Sequence, residues 1–444
     1  MLWTNKRTLL IDDIIVGMIL LFPLLRYYDI PIIGIGFSTF FPLILFGLCG
    51  LLILTKKKVY GPIEMKRSGN WYFLFLFWII GVTLSYEFYS DISVNAAGAN
   101  YNVFSLLIAF IIGFVIYAVA VGFIDTRRCI EIYSFLVKVI GVIYILQWCL
   151  MLVGIRVSFR LPFAITSSWA HAARQSYFGM NNYPTALFSE KSHFCEYVLP
   201  YIAMCLFSNR LVKRNRMLQA VLYTVGVVAS ASGNGIVVTF VIWILYFLFY
   251  GKIDKRYRIF VSIAGVVLLF TGYHFLSSIP RFKEMFDLLF VNNTGNEYMN
   301  TKADYRIYRG FDLFFQLPLC NKITGVGYNH MYLFSQAFGI VSEYDRSSGN
   351  VYEYFSAISM VMLYSGAIGL FACIKHFWAL FKSKFNIVKA MVVIMLALWF
   401  STEMLFNCTH LMYILLIVAV LSFESFADKN EEWEKDENRY SDIS

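Results

Sequence analysis

The stretch KADYRIYRG, residues 302–310, places Lys302, Arg306 and Arg309 within two turns of one another. On a helix these spacings share a face, and like charges so placed repel. A planar guanidinium grips phosphate oxygens bidentately and keeps its charge where water is scarce. The spacing therefore fits a phosphate or diphosphate. It also fits a solvated face, or one that meets ordinary lipid headgroups. Further along the chain, Glu190, His193 and His330 are side chains able to accept a proton. Arg160 and Arg174 could supply a second anion clamp.

Each residue has a structural alternative. Glu190 pairs as readily with Lys191 or an arginine as it serves chemistry. His193 and Glu196, at i and i+3, have a metal-compatible spacing, but no second pair is near and a satisfied helix-end pair is preferred. His330 is balanced between core and site, whereas His274, His376 and His410 read as interface or core histidines with satisfied hydrogen bonds. Asn350, before an apolar run, reads by default as a helix cap. Gly325 and Gly327 serve a turn, since no G-x-x-x-x-G-K-[ST] follows. No cofactor motif is read.

The elements that must position these residues are membrane helices. The 444-residue chain is 59% hydrophobic and 15% charged, with mean hydropathy +0.64, which excludes a soluble globule. A bilayer-crossing helix needs about 20 apolar residues. Twelve segments qualify: 8–25, 31–54, 71–86, 102–124, 131–154, 192–208, 216–230, 235–251, 259–276, 352–374, 387–402 and 408–425. No signal peptide is read, because Asp12 and Asp13 interrupt the first of them. The even loops are strongly basic, as in KKKVYGPIEMKR (56–67) and NRLVKRNR (209–216), while odd loops such as 87–101 carry no Lys or Arg. The positive-inside rule then puts both termini in the cytoplasm. The net charge of +9 is mostly this topology, and nucleic acid is not read as a partner. The eight cysteines show no CxxC spacing and read as inert buried thiols.

The organisation is thus 1–154 (five spans), a first long external loop at 155–191, 192–276 (four spans), a large external loop at 277–351, 352–425 (three spans), and an acidic cytoplasmic tail at 426–444. The tail reads as disordered. Both long loops carry cations, and FKEMFDLLF and YRIYRGFDLFFQL are amphipathic helix candidates in the second.

Four stretches together resemble the O-antigen and capsular repeat-unit polymerases (Wzy), relatives of the O-antigen ligases. They are YPTALFSEKSHFCEYVLPYIAMCLF (183–207), SASGNGIVVTF (230–240), YRIYRGFDLFFQLPLCNKITGVGYNHMY (305–332) and SGNVYEYFSAISMVMLYSGAIGLF (348–371). Three positions depart from that pattern. Lys191 follows Glu190 where proline is usual, Asn234 replaces a common arginine, and Gly349 stands where the ligases carry histidine. The last departure argues for polymerase over ligase.

The resemblance implies an all-α, GT-C-like membrane glycosyltransferase of the bacterial plasma membrane. It would polymerise oligosaccharide repeat units carried on undecaprenyl diphosphate at the external, periplasmic face, without a metal or cofactor. Donor and acceptor would be lipid-linked oligosaccharides, with membrane lipids and a polysaccharide chain-length regulator as further candidate partners. Arg306 and Arg309 would stabilise the leaving diphosphate, with Arg160 or Arg174 as second clamp. Glu190, His193 or His330 would orient or deprotonate the acceptor hydroxyl, Tyr305 could stack on a sugar ring, and His193 and Asn350 would help bind the diphosphate and sugar. The alternatives are an O-antigen ligase and a lipid-linked oligosaccharide flippase or other transporter.

Overall fold

The computed structural model describes residues 6–31, 34–55, 62–89, 103–155, 157, 159, 161, 163–165, 184–212, 214–230, 232–249, 302–342 and 355–441. Among them the chain forms α1 (Lys6–Leu25), α2 (Phe37–Thr55), α3 (Ile63–Tyr89), α4 (Val103–Val121), α5 (Cys129–Leu152), α6 (Lys191–Phe207), α7 (Arg216–Ala229), α8 (Gly233–Phe249), α9 (Lys302–Gln316), α10 (Leu319–Thr324), α11 (Met331–Phe338), α12 (Ala357–Phe381), α13 (Asn386–Ser401) and α14 (Cys408–Ser441). Their only β pairing is two isolated bridges, Tyr28 with Ile165 and Asp29 with Gly36.

Helices overlie eleven of the twelve apolar segments, and 259–276 lies outside the described residues. Six helices are long and apolar enough to cross a membrane, on α2, α3, α4, α5, α12 and α14, while α7, α8 and α13 are shorter apolar helices. The chain is an all-helical, polytopic membrane protein. Helix α14 packs against α1, α4, α5, α6 and α13. Its residues Leu411 to Leu421 are almost wholly buried, as expected of a helix apolar on every side.

Two expectations need correction. The tail is helical to Ser441 rather than disordered. Glu431 and Lys435 stand at i and i+4 there, and Glu and Lys are good helix formers. The cap of α12 is Ser356, whose side chain accepts from Ser359 N, and Asn350 lies outside the described residues.

The helices alternate in direction between two ends. At one end the α4–α5 turn meets α1: Asp125 N donates to Asp12 Oδ1 (3.2 Å), and Arg128 pairs with Asp13 (2.7 Å). At the same end Arg210 reaches Glu424 (3.3 Å) and Asp428 (2.6 Å) of α14, and Lys384 reaches Asp428 (2.7 Å). The other end gathers the C-termini of α1, α3 and α13 with the N-termini of α6, α12 and α14. There Ala357 N donates to Thr402 O (2.9 Å).

Helix α12 breaks at Gly366 (φ 60°, ψ −162°). The break frees carbonyls that the chain after α10 fills. Val326 N donates to Leu363 O (2.9 Å), and Gly327 N to Tyr364 O (3.0 Å). Trp78 of α3 closes the joint, its Nε1 donating to Ser365 O (2.9 Å) and Thr324 O (3.1 Å). A Cβ on Gly325 would sit 2.4 Å from Tyr364 O, and one on Gly366 2.4 Å from Ile323 O. Both glycines also have positive φ, so the segment needs them twice over.

Candidate functional site

The end that carries Cys408 holds two groups of polar side chains. The first is built on the ends of α1, α6 and α14. Gln147 of α5, itself buried, ties down the first long loop. Its Nε2 donates to Val157 O (2.9 Å), and its Oε1 accepts from Thr185 N (3.0 Å) and Ala186 N (2.9 Å). That sets the turn carrying Ser189 and Glu190 into α6. Arg26, just past α1, donates through Nη2 to Tyr27 Oη and His193 Nε2, and through Nη1 to Cys408 Sγ (3.5 Å). Its guanidinium carbon lies 4.4 Å from the Tyr27 ring centroid.

The pairing fixes the imidazole. With Nε2 accepting from Arg26, the ring of His193 is neutral and carries its proton on Nδ1, 3.3 Å from Ser189 Oγ. His193 therefore aims the guanidinium rather than standing ready as a base at Nε2. Among the described residues, the partners of Arg26 are a phenol, an imidazole and a thiol, with no carboxylate. Its Nε is buried with no hydrogen-bond partner among those residues. Glu190 is half-buried and accepts from Ser192 Oγ (3.1 Å).

The second group lies on α9 to α11. Helix α9 is amphipathic as the sequence suggests, with Tyr308 and Phe315 exposed and Arg309, Gly310, Leu313 and Leu317 forming the buried stripe. Arg309 is only 6% exposed. Its neighbour Gly310 sits tight against α12, where a Cβ would fall 2.2 Å from Ser359 Oγ. Arg306 and Tyr305 lie on α9, with side chains outside the description.

His330, 4% exposed, precedes α11 with its ring 6.3 Å from that of Tyr86. Gly327 makes room for it, since a Cβ there would meet His330 Nδ1 at 2.6 Å. Tyr328 N donates to Thr83 Oγ1 (2.8 Å), so Gly325 and Gly327 do serve a turn, one docked on α3 and α12. The two groups are linked through Phe406. Its ring lies 5.6 Å from that of Tyr328, and it precedes Cys408 by two residues.

Arg160 and Arg174 lie outside the described residues, as does FKEMFDLLF. All eight cysteines are free, and Cys149 and Cys320 are exposed rather than buried. No group of three His, Cys, Asp or Glu able to hold a metal occurs among the described residues. No protein-family model matches the chain, and no curated protein matches it.

Proposed function

We propose that the chain is a membrane glycosyltransferase that extends a glycan carried on a polyprenyl diphosphate at the outer face of the bacterial plasma membrane. The observation that supports this reading is the placement of guanidinium groups. Arg26 and Arg309 stand at one end of the bundle, one of them with phenol, imidazole and thiol for partners and the other on a buried stripe. Arg26, half-buried and given no carboxylate among the described residues, is a place for an anion.

In the reaction, an acceptor sugar hydroxyl attacks the anomeric carbon of the donor. The carbon–oxygen bond to the diphosphate breaks, and the diphosphate leaves with that electron pair. Negative charge grows on the leaving oxygen, where fixed guanidinium donors stabilise it. Arg309 and Arg306 take that role, with Arg26 as a further clamp. The hydroxyl proton passes to Glu190 or His330, His193 being engaged by Arg26.

The start of α1 and the end of α14 lie at the ion-paired, acid–base end, which in this reading is cytoplasmic. The test is a gel profile of surface and lipid-linked glycan from a deletion strain, complemented with the wild type or with Arg309→Ala. A single attached repeat unit after deletion, with a ladder restored only by the wild type, is expected. Polymer still made on the external lipid would mean a ligase, and units trapped on the cytoplasmic side a flippase.

A further inference from the structure

The bundle interior contains a polar group that the proposed reaction does not use. Tyr72 of α3, His376 of α12, Trp399 of α13 and His410 of α14 are 2%, 1%, 2% and 0% exposed. Their rings adjoin: centroids lie 5.1 Å apart for Tyr72 and His376, 6.2 Å for Tyr72 and His410, and 5.1 Å for Trp399 and His410. The sequence reading of the two histidines as core residues with satisfied hydrogen bonds holds for their burial and, in bonding, only for Nδ1 of His376, which meets Ser68. Tyr72 Oη, His376 Nε2, Trp399 Nε1 and both ring nitrogens of His410 have no hydrogen-bond partner among the described residues.

Buried polar atoms are almost always bonded, and each one left unmade destabilises the fold. Five such atoms on four touching rings point to a shared partner. His376 Nδ1 lies 3.0 Å from the carbonyl oxygen of Ser68, which can only accept. The hydroxyl of Ser68, 2.8 Å from the same Nδ1, can donate to it instead, so Nε2 faces the set as an acceptor in one tautomer and a donor in the other. The indole of Trp399 only donates, whereas Tyr72 and His410 can do both. The set is neutral and balanced between donors and acceptors. An anion would find no charge there, and two imidazoles with a phenol form no three-ligand site of the His, Cys, Asp or Glu kind.

We propose that this cluster is an internal water site, in which one or a few bound waters bridge α3, α12, α13 and α14. Water matches both halves of the set and typically makes about three hydrogen bonds when buried. The site lies inside helices that also carry the functional end, since α12 bears the break at Gly366 and the α13–α14 turn bears Phe406.

Radiolytic hydroxyl labelling of the full chain in lipid nanodiscs tests this, because radicals born from bound water oxidise the side chains beside it. Tyr133 and Tyr413 are internal controls, equally buried but with their hydroxyls on the carbonyls of Tyr197 (2.6 Å) and Glu196 (2.8 Å). Oxidation of Tyr72 several-fold faster than both controls, insensitive to a bulk radical scavenger, is expected. Oxidation of Tyr72 at the control rate overturns the proposal. In His410→Phe the rate at Tyr72 should fall toward the controls, and an unchanged rate in the folded variant also overturns it. If that variant does not fold, the wild-type comparison decides alone.

Discussion

The two ends of the bundle treat positive charge in opposite ways. At the end where α1 begins, arginines and lysine meet carboxylates: Arg128 with Asp13, Arg210 with Glu424 and Asp428, and Lys384 with Asp428. The protein closes those charges itself. At the other end Arg26 is held by Tyr27, His193 and Cys408, groups that orient a guanidinium without neutralising it. The same side chain thus builds a scaffold at one end and leaves an electrostatic demand at the other. Counting cations along the sequence cannot separate these roles, but their partners can.

The largest effect expected at the site end is that of Arg309→Ala. Transfer should fall by about 10²–10³-fold, the usual cost of removing one preorganised donor to a developing charge. The measurement is repeat-unit transfer between purified lipid-linked substrates, normalised to folded protein; near-wild-type transfer would remove Arg309 from the site. Arg26→Ala should cost roughly 10–100-fold, in line with a hydrogen bond to a charged group. Arg26→Lys should recover part of this, because the charge returns without the planar fork. Equal loss in both variants would make Arg26 a packing residue.

At the acid–base end the sign of the effect changes from activity to stability. Arg210→Ala leaves the buried Glu424 with Ser208 alone, and should lower stability by about 2 kcal/mol while transfer per folded molecule stays unchanged. Thermal unfolding in detergent beside the transfer assay separates the two. The smallest effect belongs to Arg128→Ala. With the Arg128 side chain 65% exposed, its pair with Asp13 should contribute at most about 0.5 kcal/mol, a small shift in Tm. A large loss of transfer in either variant would erase the contrast.

Much of the scaffold was legible in the sequence, because long apolar runs have few alternatives to membrane helices. Segment edges moved where local chemistry decided them. Helix α2 begins at Phe37, since Gly34 adopts φ 68° and a turn precedes the helix. The placement of the candidate site's residues was legible in part. Arg309 stood out by its spacing with Arg306, but nothing in the pattern said that its stripe would be the buried one. His193 stood out by its type, yet its engagement by Arg26 depends on the packing of α1 against the rest of the bundle.

Arg26 itself escaped notice although a signal existed. It is a cation just after the first span, in a short loop on the side whose other short loops carry no Lys or Arg, where the positive-inside rule is most reliable. Gln147 and Trp78 left no comparable trace, because each acts by bonding backbone atoms distant in sequence.

The Gln147 clamp has a bearing on how this protein could change. One amide holds the chain at Val157 and again at Thr185, so the two feet of the first long loop are pinned independently of what joins them. Once the feet are fixed, lengthening the join is cheap: each doubling of a flexible loop costs only about 0.6 kcal/mol. Leu161, Phe163 and Ile165 are already packed on Tyr28, so the length that can change with little effect on the helices beneath lies between Ile165 and Thr185. The clamp makes this stretch an interchangeable cassette, whose sequence can vary while the bundle is inherited intact.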